Sequence, residues 1–480
     1  MKDFKILFQE PFVPRQVIYG KFSDGTGNNT FPFGVASVAS YVHGRGYHVS
    51  YIDPLVDEIK KEDYLAFLRE NRFDMIAMSS TTLEIDYAVS TLELAKSVLP
   101  DCLTVLGGVH ATLLPEKILR RTDAIDYLVL GEGEKSFLRL LDALSSGREG
   151  LTRGLPGIAY KKDGAVTVNP YEETDRLSPE EMPAPLFDIF PMRKYVSQIT
   201  YAKVFPTYSL VASRGCPYEC AFCDAPVTTG RKVRYKPVDA LISEISTLKE
   251  KYGARGVMFL DSTFTVDNGW VTRFCEAYIR SGLKLPWACN SRVDTVSEGL
   301  LKLMKKAGCW SVLFGVESAN QKSLDLINKR TTVEQNEASI RLALKLGFYV
   351  YTSYILCLPG ENEDDVMNTI RFARRMGNHI AIFYLPVPFP RTKLEEIARA
   401  EGGLREGARG KDYNQWDYSD PVYINPLLGK EKMQELLRKA FLGFYTSPLV
   451  ISRNLKELFL LRQSPYKFYL GLKGVLGVFK

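Results

Sequence analysis

The chain has 480 residues, 45% hydrophobic and 25% charged, with a formal net charge of +6. That length and balance suit more than one buried core and exclude a disordered, collagen-like or small disulfide-stapled chain. No apolar run reaches the roughly 18 residues of a spanning helix. Met1-Lys-Asp-Phe-Lys5 has no long apolar region behind it, so no secretory signal is visible and a cytoplasmic location is expected.

Residues 1–150 read as a separate α/β module. Strand-like runs at Phe4–Phe8, His48–Ile52, Met75–Met78, Leu103–Leu106 and Tyr127–Leu130 alternate with helical stretches such as Ala36–Gly44 and Glu84–Val98. Five such units predict a doubly wound, Rossmann-like parallel sheet, which binds ligands beyond the carboxyl ends of its strands. The loops at those ends are Ser79-Ser80-Thr81-Thr82, Gly107-Gly108-Val109-His110 and Gly131-Glu132-Gly133-Glu134, with Phe33-Gly34 opening the first helix. Glycine has no side chain to obstruct close approach of backbone to a bulky ligand. A nucleotide site is disfavoured because no G-x-G-x-x-G opens the first helix.

Residues 151–205 read as a connection. Leu155–Val168 predicts a hairpin turned at Asp163-Gly164, and the proline-rich stretch 179–191 an extended crossing linker.

After the apolar run Tyr208–Ser213 comes Cys216-Pro-Tyr-Glu-Cys220-Ala-Phe-Cys223. C-x₃-C-x₂-C offers three thiolates to one inorganic centre and no fourth. Structural zinc wants a closed tetrahedron, whereas an iron–sulfur cube on three cysteines keeps one iron open for chemistry. The other five cysteines (Cys102, Cys275, Cys289, Cys309 and Cys357) are scattered in apolar runs as buried free thiols. From 206 to 395 six strand-like runs, Ser209–Ser213, Gly256–Leu260, Trp287–Asn290, Ser311–Gly315, Tyr349–Leu358 and Ile380–Pro386, alternate with helices and predict a partial (βα)₆ barrel.

Cys216, Cys220 and Cys223, with Phe222 before the last, resemble the signature of the radical S-adenosylmethionine superfamily. The resemblance implies a 4Fe-4S cluster on these cysteines whose open iron chelates S-adenosylmethionine. It also implies reductive cleavage to a 5′-deoxyadenosyl radical, driven by a reductant such as flavodoxin or ferredoxin. It places the methionine amino group near Asp261 and Ser262, although the family's Gly-Gly-Glu is absent there. It sets Arg292 against the methionine carboxylate, which its fork fits, Glu317 and Ser318 at the ribose, and Gly360 in the adenine-side turn.

With that core behind it, the first module resembles the cobalamin-binding domain of many such enzymes. Phe33, Gly34, Ser79, Ser80, Thr81, Thr82, Gly107, Gly108, Val109, His110, Gly131, Glu132 and Gly133 are then the cobalamin-side residues. The fingerprint Asp-x-His-x-x-Gly is missing, and none of His43, His48, His110 and His379 stands in it, so His110 is expected as a polar contact rather than an axial ligand.

Residues 396–480 form a mainly helical region whose last 40 residues hold Arg453, Lys456, Arg462, Lys467, Lys473 and Lys480 against Glu457 alone. Interleaved aromatics, Phe441 and Phe444 among them, suit a membrane surface, a large hydrophobic substrate, or a helical cap on the barrel's side. Nucleic acid fits poorly, since no basic stripe lies elsewhere. The resemblance implies methylation of an unactivated carbon of a hydrophobic small molecule, with anaerobic magnesium-protoporphyrin monomethyl ester cyclisation as the alternative. A non-catalytic cobalamin or iron–sulfur sensor is the reading of another class; Arg292 and Glu317 argue against it.

Overall fold

The structure, a computed structural model, describes residues 2–19, 29–147, 149–196, 202–408, 410–414 and 418–460. Its first sheet comprises β1 (Lys5–Gln9), β2 (His48–Ile52), β3 (Met75–Ser79), β4 (Leu103–Gly107), β5 (Tyr127–Val129), β6 (Ile158–Lys162) and β7 (Ala165–Val168), in the order β2-β1-β3-β4-β5-β6-β7. The first five are parallel, and the order reverses between β1 and β3. Successive side chains of a strand face opposite sides. Ile6 and Phe8 therefore pack with Val35, Ala39, Phe137 and Leu140 of helices Phe33–His43 and Gly133–Ser145. Leu7 packs on the other face with Leu68, Val89 and Leu92 of helices Lys61–Glu70 and Ile85–Lys96. The hairpin joins this sheet, because β6 pairs antiparallel with β5.

The proline-rich linker is tied down on both sides. Phe190 packs edge-on against Phe31, and Leu186 N donates to Ser40 Oγ at 2.7 Å. Further along, Asp188 accepts from Tyr252 Oη of the barrel at 2.6 Å.

The second sheet holds β8 (Thr207–Leu210), β11 (Gly256–Phe259), β12 (Trp287–Ser291), β13 (Cys309–Glu317), β14 (Tyr349–Ile355) and β15 (Ile380–Tyr384), all parallel, in the order β15-β14-β13-β12-β11-β8. An open six-stranded βα sheet leaves its C-terminal edge free for ligands. A short antiparallel ribbon, β9 (Ser213–Arg214) with β10 (Arg234–Tyr235), stands beside it.

Helix Gly429–Tyr445 covers the barrel at β15: Phe441 meets Phe383 edge-on at 5.3 Å, and Tyr445 Oη donates to Ala381 O at 2.9 Å. Helix Pro448–Leu460 follows, fixed by Arg453 Nε to Gly377 O at 2.7 Å. These aromatics form the cap that the sequence offered as one of three readings. Arg462, Lys467, Lys473 and Lys480 lie outside the described residues. Among the described residues no helix is long and apolar enough to cross a membrane.

Candidate functional site

The C-terminal edges of the two sheets face each other across a cavity of about 470 Å³. The first module supplies Phe33, Gly34, Ser79, Ser80, Thr81, Gly107, Gly108, Val109, Gly131, Glu132 and Gly133, and the barrel supplies Val211, Ser213, Arg214, Gly215, Asp261 and Ser262. Gly108, at φ +93°, admits no side chain: a Cβ there would lie 2.6 Å from Ser79 Oγ and 2.7 Å from Ser80 O. Such a backbone-lined wall suits a large, flat ligand rich in amides, and cobalamin fits it on that ground.

Two residues expected at this wall are turned away. His110 Nδ1 pairs with Thr82 Oγ1 at 3.2 Å, and His110 lines a different cavity with Asp86, Lys117 and Tyr413. The cause is local: helix Val109–Leu113 starts directly after Gly108, and neighbours on a helix point about 100° apart. Val109 therefore faces the inter-module cavity and His110 does not. Burial, reinforced by Lys117, pushes the His110 imidazole down to about 4.

Glu132 and Glu134 carry more than the sequence suggested. Both are buried and bound to barrel arginines: Glu132 Oε2 accepts from Arg214 at 3.0 Å and from Arg234 at 3.0 Å, and Glu134 Oε1 accepts from Arg214 at 2.7 Å. Arg214 holds the Glu134 carboxyl below its usual range although burial acts against that. These arginines were not legible as site residues, since nothing in their local sequence names a partner eighty or more residues away.

The cysteine loop leaves the ribbon at Cys216, whose N donates to Gly230 O at 2.9 Å, and Cys223 N donates to Cys220 O at 3.0 Å. Its outer side is latched by the segment 327–330: Ala221 N donates to Ile327 O at 2.8 Å and Asn328 Nδ2 to Glu219 O at 2.9 Å. The three thiols are free. Among the described residues no three such side chains converge tightly enough for a single ion. Three thiols on one loop suit a four-iron cube, which takes each cysteine on a different iron. Burial pushes the Cys220 and Cys223 thiols up, Cys223 to about 12, while Lys329 and Arg292 pull Cys220 back. Nearby cations favour the thiolates that iron requires.

Around the loop the expected S-adenosylmethionine residues divide. Arg292 is buried, stacks 3.6 Å over Tyr218 and points Nη1 at Cys220 Sγ at 3.7 Å. Its fork is already engaged by Asp294, Nε to Oδ1 and Nη2 to Oδ2, both at 2.9 Å. Nη2 also donates to Lys329 O at 2.7 Å, so the guanidinium lies over the loop with Nη1 toward Cys220 while Asp294 takes its other edge. Glu317, at a bulge in β13 with φ +64°, accepts from Lys329 Nζ at 2.7 Å, and that ammonium sits 5.9 Å over the Phe222 ring. Lys329 is a neighbour that sequence reasoning missed. Ser318 Oγ donates to Glu361 Oε1 at 3.2 Å within a buried network with Ser323 and Thr369, which speaks for a structural role. Gly360 sits in an open turn at φ +72°. Asp261 accepts from Ser213 Oγ at 2.5 Å and Ala212 N at 3.1 Å, and burial pushes it up to about 6. It thus braces the approach to Cys216 as well as lining the cavity.

A doubly wound module closed over the open edge of a parallel βα sheet, with a three-cysteine loop starting directly after Arg214 and Gly215 of the shared cavity, defines an enzyme that works with two cofactors. Residues 25–141 match the B12 binding domain and 210–373 the radical SAM superfamily. The chain is 33% identical to an uncharacterized methyltransferase of Pyrococcus horikoshii over 95% of its own length and 96% of that protein. It is 31% identical to the anaerobic magnesium-protoporphyrin IX monomethyl ester cyclase of Rubrivivax gelatinosus over 86% of its own length and 73% of that protein. The chain belongs to the B12-binding radical S-adenosylmethionine enzymes, whose cofactors are a 4Fe-4S cluster, S-adenosylmethionine and cobalamin. Its fold is that of the methyltransferase TsrM from Kitasatospora setae, solved with cobalamin and cluster bound, at a TM-score of 0.71 and 16% identity over 92% of this chain and 88% of that one.

Proposed function

We propose that this enzyme methylates an unactivated carbon of a hydrophobic small molecule. The observation that carries the reading is the shared cavity, which brings the glycine and hydroxyl loops of the first module opposite the strand ends leading into the cysteine loop. The methyltransferase of Pyrococcus horikoshii supports it, as do the hopanoid C-3 methylase of Methylococcus capsulatus, at 27% identity, and the cytidylyl-2-hydroxyethylphosphonate methyltransferase of Streptomyces wedmorensis, at 26%.

When bound, the cofactors supply reductive cleavage of S-adenosylmethionine and methyl transfer. The chain's own residues do the holding. Cys216, Cys220 and Cys223 would ligate the cluster, and Phe222 would cover it. Nη1 of Arg292 and the ammonium of Lys329 would face the anionic groups around the loop, with Glu317 fixed by Lys329 for a ribose hydroxyl. Ser79–Thr81, Gly107–Val109 and Gly131–Gly133 would hold cobalamin mainly through backbone. A flavodoxin- or ferredoxin-type protein would deliver the electrons, and the basic segment after residue 460 would meet a membrane surface.

The test needs no substrate. Anaerobically reconstituted protein, loaded with cobalamin, is given S-adenosylmethionine bearing a deuterated methyl group and a low-potential reductant. Methylation predicts S-adenosylhomocysteine with the label moved to cobalamin, alongside 5′-deoxyadenosine. The cyclase alternative, favoured by the Rubrivivax gelatinosus relative, predicts 5′-deoxyadenosine without S-adenosylhomocysteine. Absence of both products would leave the sensor reading.

A further inference from the structure

Arg214 and Arg234 stand directly opposite each other in the β9–β10 ribbon. Like charges in that register repel, and both guanidiniums are drawn into the protein. What holds them is the other module. Glu132 Oε2 accepts from Nη1 of each arginine at 3.0 Å. Nη2 of Arg214 donates to Glu134 Oε1 and to Ser37 Oγ, each at 2.7 Å, and Ser37 Oγ donates to the same Glu134 oxygen at 2.5 Å. Two cations and two carboxylates thus balance in a buried cluster, and removing either side leaves uncompensated buried charge.

The ends of this cluster lie at the two cofactor sites. Arg214 precedes Cys216 by two residues, and Gly215 between them packs against the Lys232 backbone so closely that a Cβ would strike it. On the other side, Glu132 lies between Gly131 and Gly133 in the loop that walls the cavity. Movement of either loop therefore shifts partners of the same four charges.

We infer that Arg214 is a positioning residue that makes the two sites reciprocal. Loading the cluster into the Cys216–Cys223 loop tightens cobalamin, and cobalamin stabilises the cluster by the same factor, because linkage between binding equilibria is symmetric. This rests on the reading above that the cavity takes cobalamin and the loop takes the cluster.

The full-length protein is titrated anaerobically with hydroxocobalamin, read by visible absorption, before and after reconstitution with iron and sulfide. The wild type is expected to bind about tenfold more tightly once the cluster is in place. In R214M that ratio falls to about one, and in R214K, which keeps the charge but not the fork, it falls between. S37A removes the two hydrogen bonds by which one hydroxyl links Arg214 to Glu134, leaves their direct contact in place, and should lower the ratio about twofold without threatening the fold. It keeps the test open if R214M does not fold by circular dichroism. A merely structural joint would weaken both affinities and leave their ratio alone. A wild-type ratio of one, or a ratio unchanged in R214K and S37A, overturns the coupling. Wild-type protein that retains neither group would instead sink the site assignments, and the coupling with them.

Discussion

The first module and the barrel build their sides of the functional region from different materials. The first module lines its side with glycines, hydroxyls and backbone at Ser79–Thr81, Gly107–Val109, Gly131 and Gly133, its carboxylates Glu132 and Glu134 being committed to barrel arginines. The barrel offers ionised side chains already locked in pairs, Arg292 with Asp294 and Lys329 with Glu317. A large ligand with many amides is held by many weak backbone contacts, each of which needs room more than charge. A small zwitterion beside a cluster needs fixed charges, and buried charges keep their positions only when paired. The two sides should therefore fail in different ways when altered.

The largest effect belongs to the barrel. Cys220→Ala removes one of three thiolates, and the protein should assemble no complete four-iron cluster and form no 5′-deoxyadenosine. Iron and sulfide content after anaerobic reconstitution checks this, and a full complement in the variant would move the ligand set elsewhere. On the cobalamin side, Gly108→Val places a branched side chain at φ +93°, against Ser79 and Ser80. The strained backbone costs about 1–3 kcal/mol before the clash is counted. Cobalamin should be lost on gel filtration while the cluster still assembles. Loss of both together in equal measure would erase the distinction between the two sides.

How much of this was legible depended on whether the signal was local. The six barrel strands showed as buried apolar runs such as Gly256-Val-Met-Phe-Leu260, because a parallel strand is covered on both faces. The cysteine triplet and the glycine loops are likewise local patterns. The β9–β10 ribbon has two-residue strands and no apolar period, so nothing announced it, and with it the Arg214 and Arg234 pairings stayed hidden. Arg292 reads as a fork that fits a carboxylate, and the carboxylate it meets in the structure is Asp294, two residues on, through a turn that spacing alone does not reveal. His110 belonged to the right loop but to the wrong side of the helix that starts there.

His110 gives a pH test of that placement. Its folded-state value of about 4 lies below the ordinary 6.5, so the imidazole is neutral in the folded protein through the physiological range. As pH falls below 6.5 the unfolded chain takes a proton that the folded protein refuses until about pH 4. Stability contributed by the neutral buried ring is therefore present above 6.5 and lost on acidification, by about 2 kcal/mol between pH 6.5 and 5. Urea midpoints should show His110→Gln losing less stability than the wild type over that interval. Equal slopes would mean that the ring is exposed, and would return His110 to the cobalamin wall.

The smallest effect is the sharpest on the barrel side. Ser318 was expected at the ribose, yet its hydroxyl serves Glu361, which keeps Ser323 Oγ at 2.6 Å and Leu358 N at 3.0 Å without it. Ser318→Ala should cost only about 1 kcal/mol of stability, since no buried charge is left bare. If the hydroxyl is structural, the KM for S-adenosylmethionine stays within about twofold while the melting temperature drops slightly. A ribose contact would show the reverse, a rise of about tenfold in KM, equivalent to about 1.4 kcal/mol, at unchanged stability. The two outcomes separate cleanly because Glu317, the adjacent residue, is held by Lys329 rather than by Ser318.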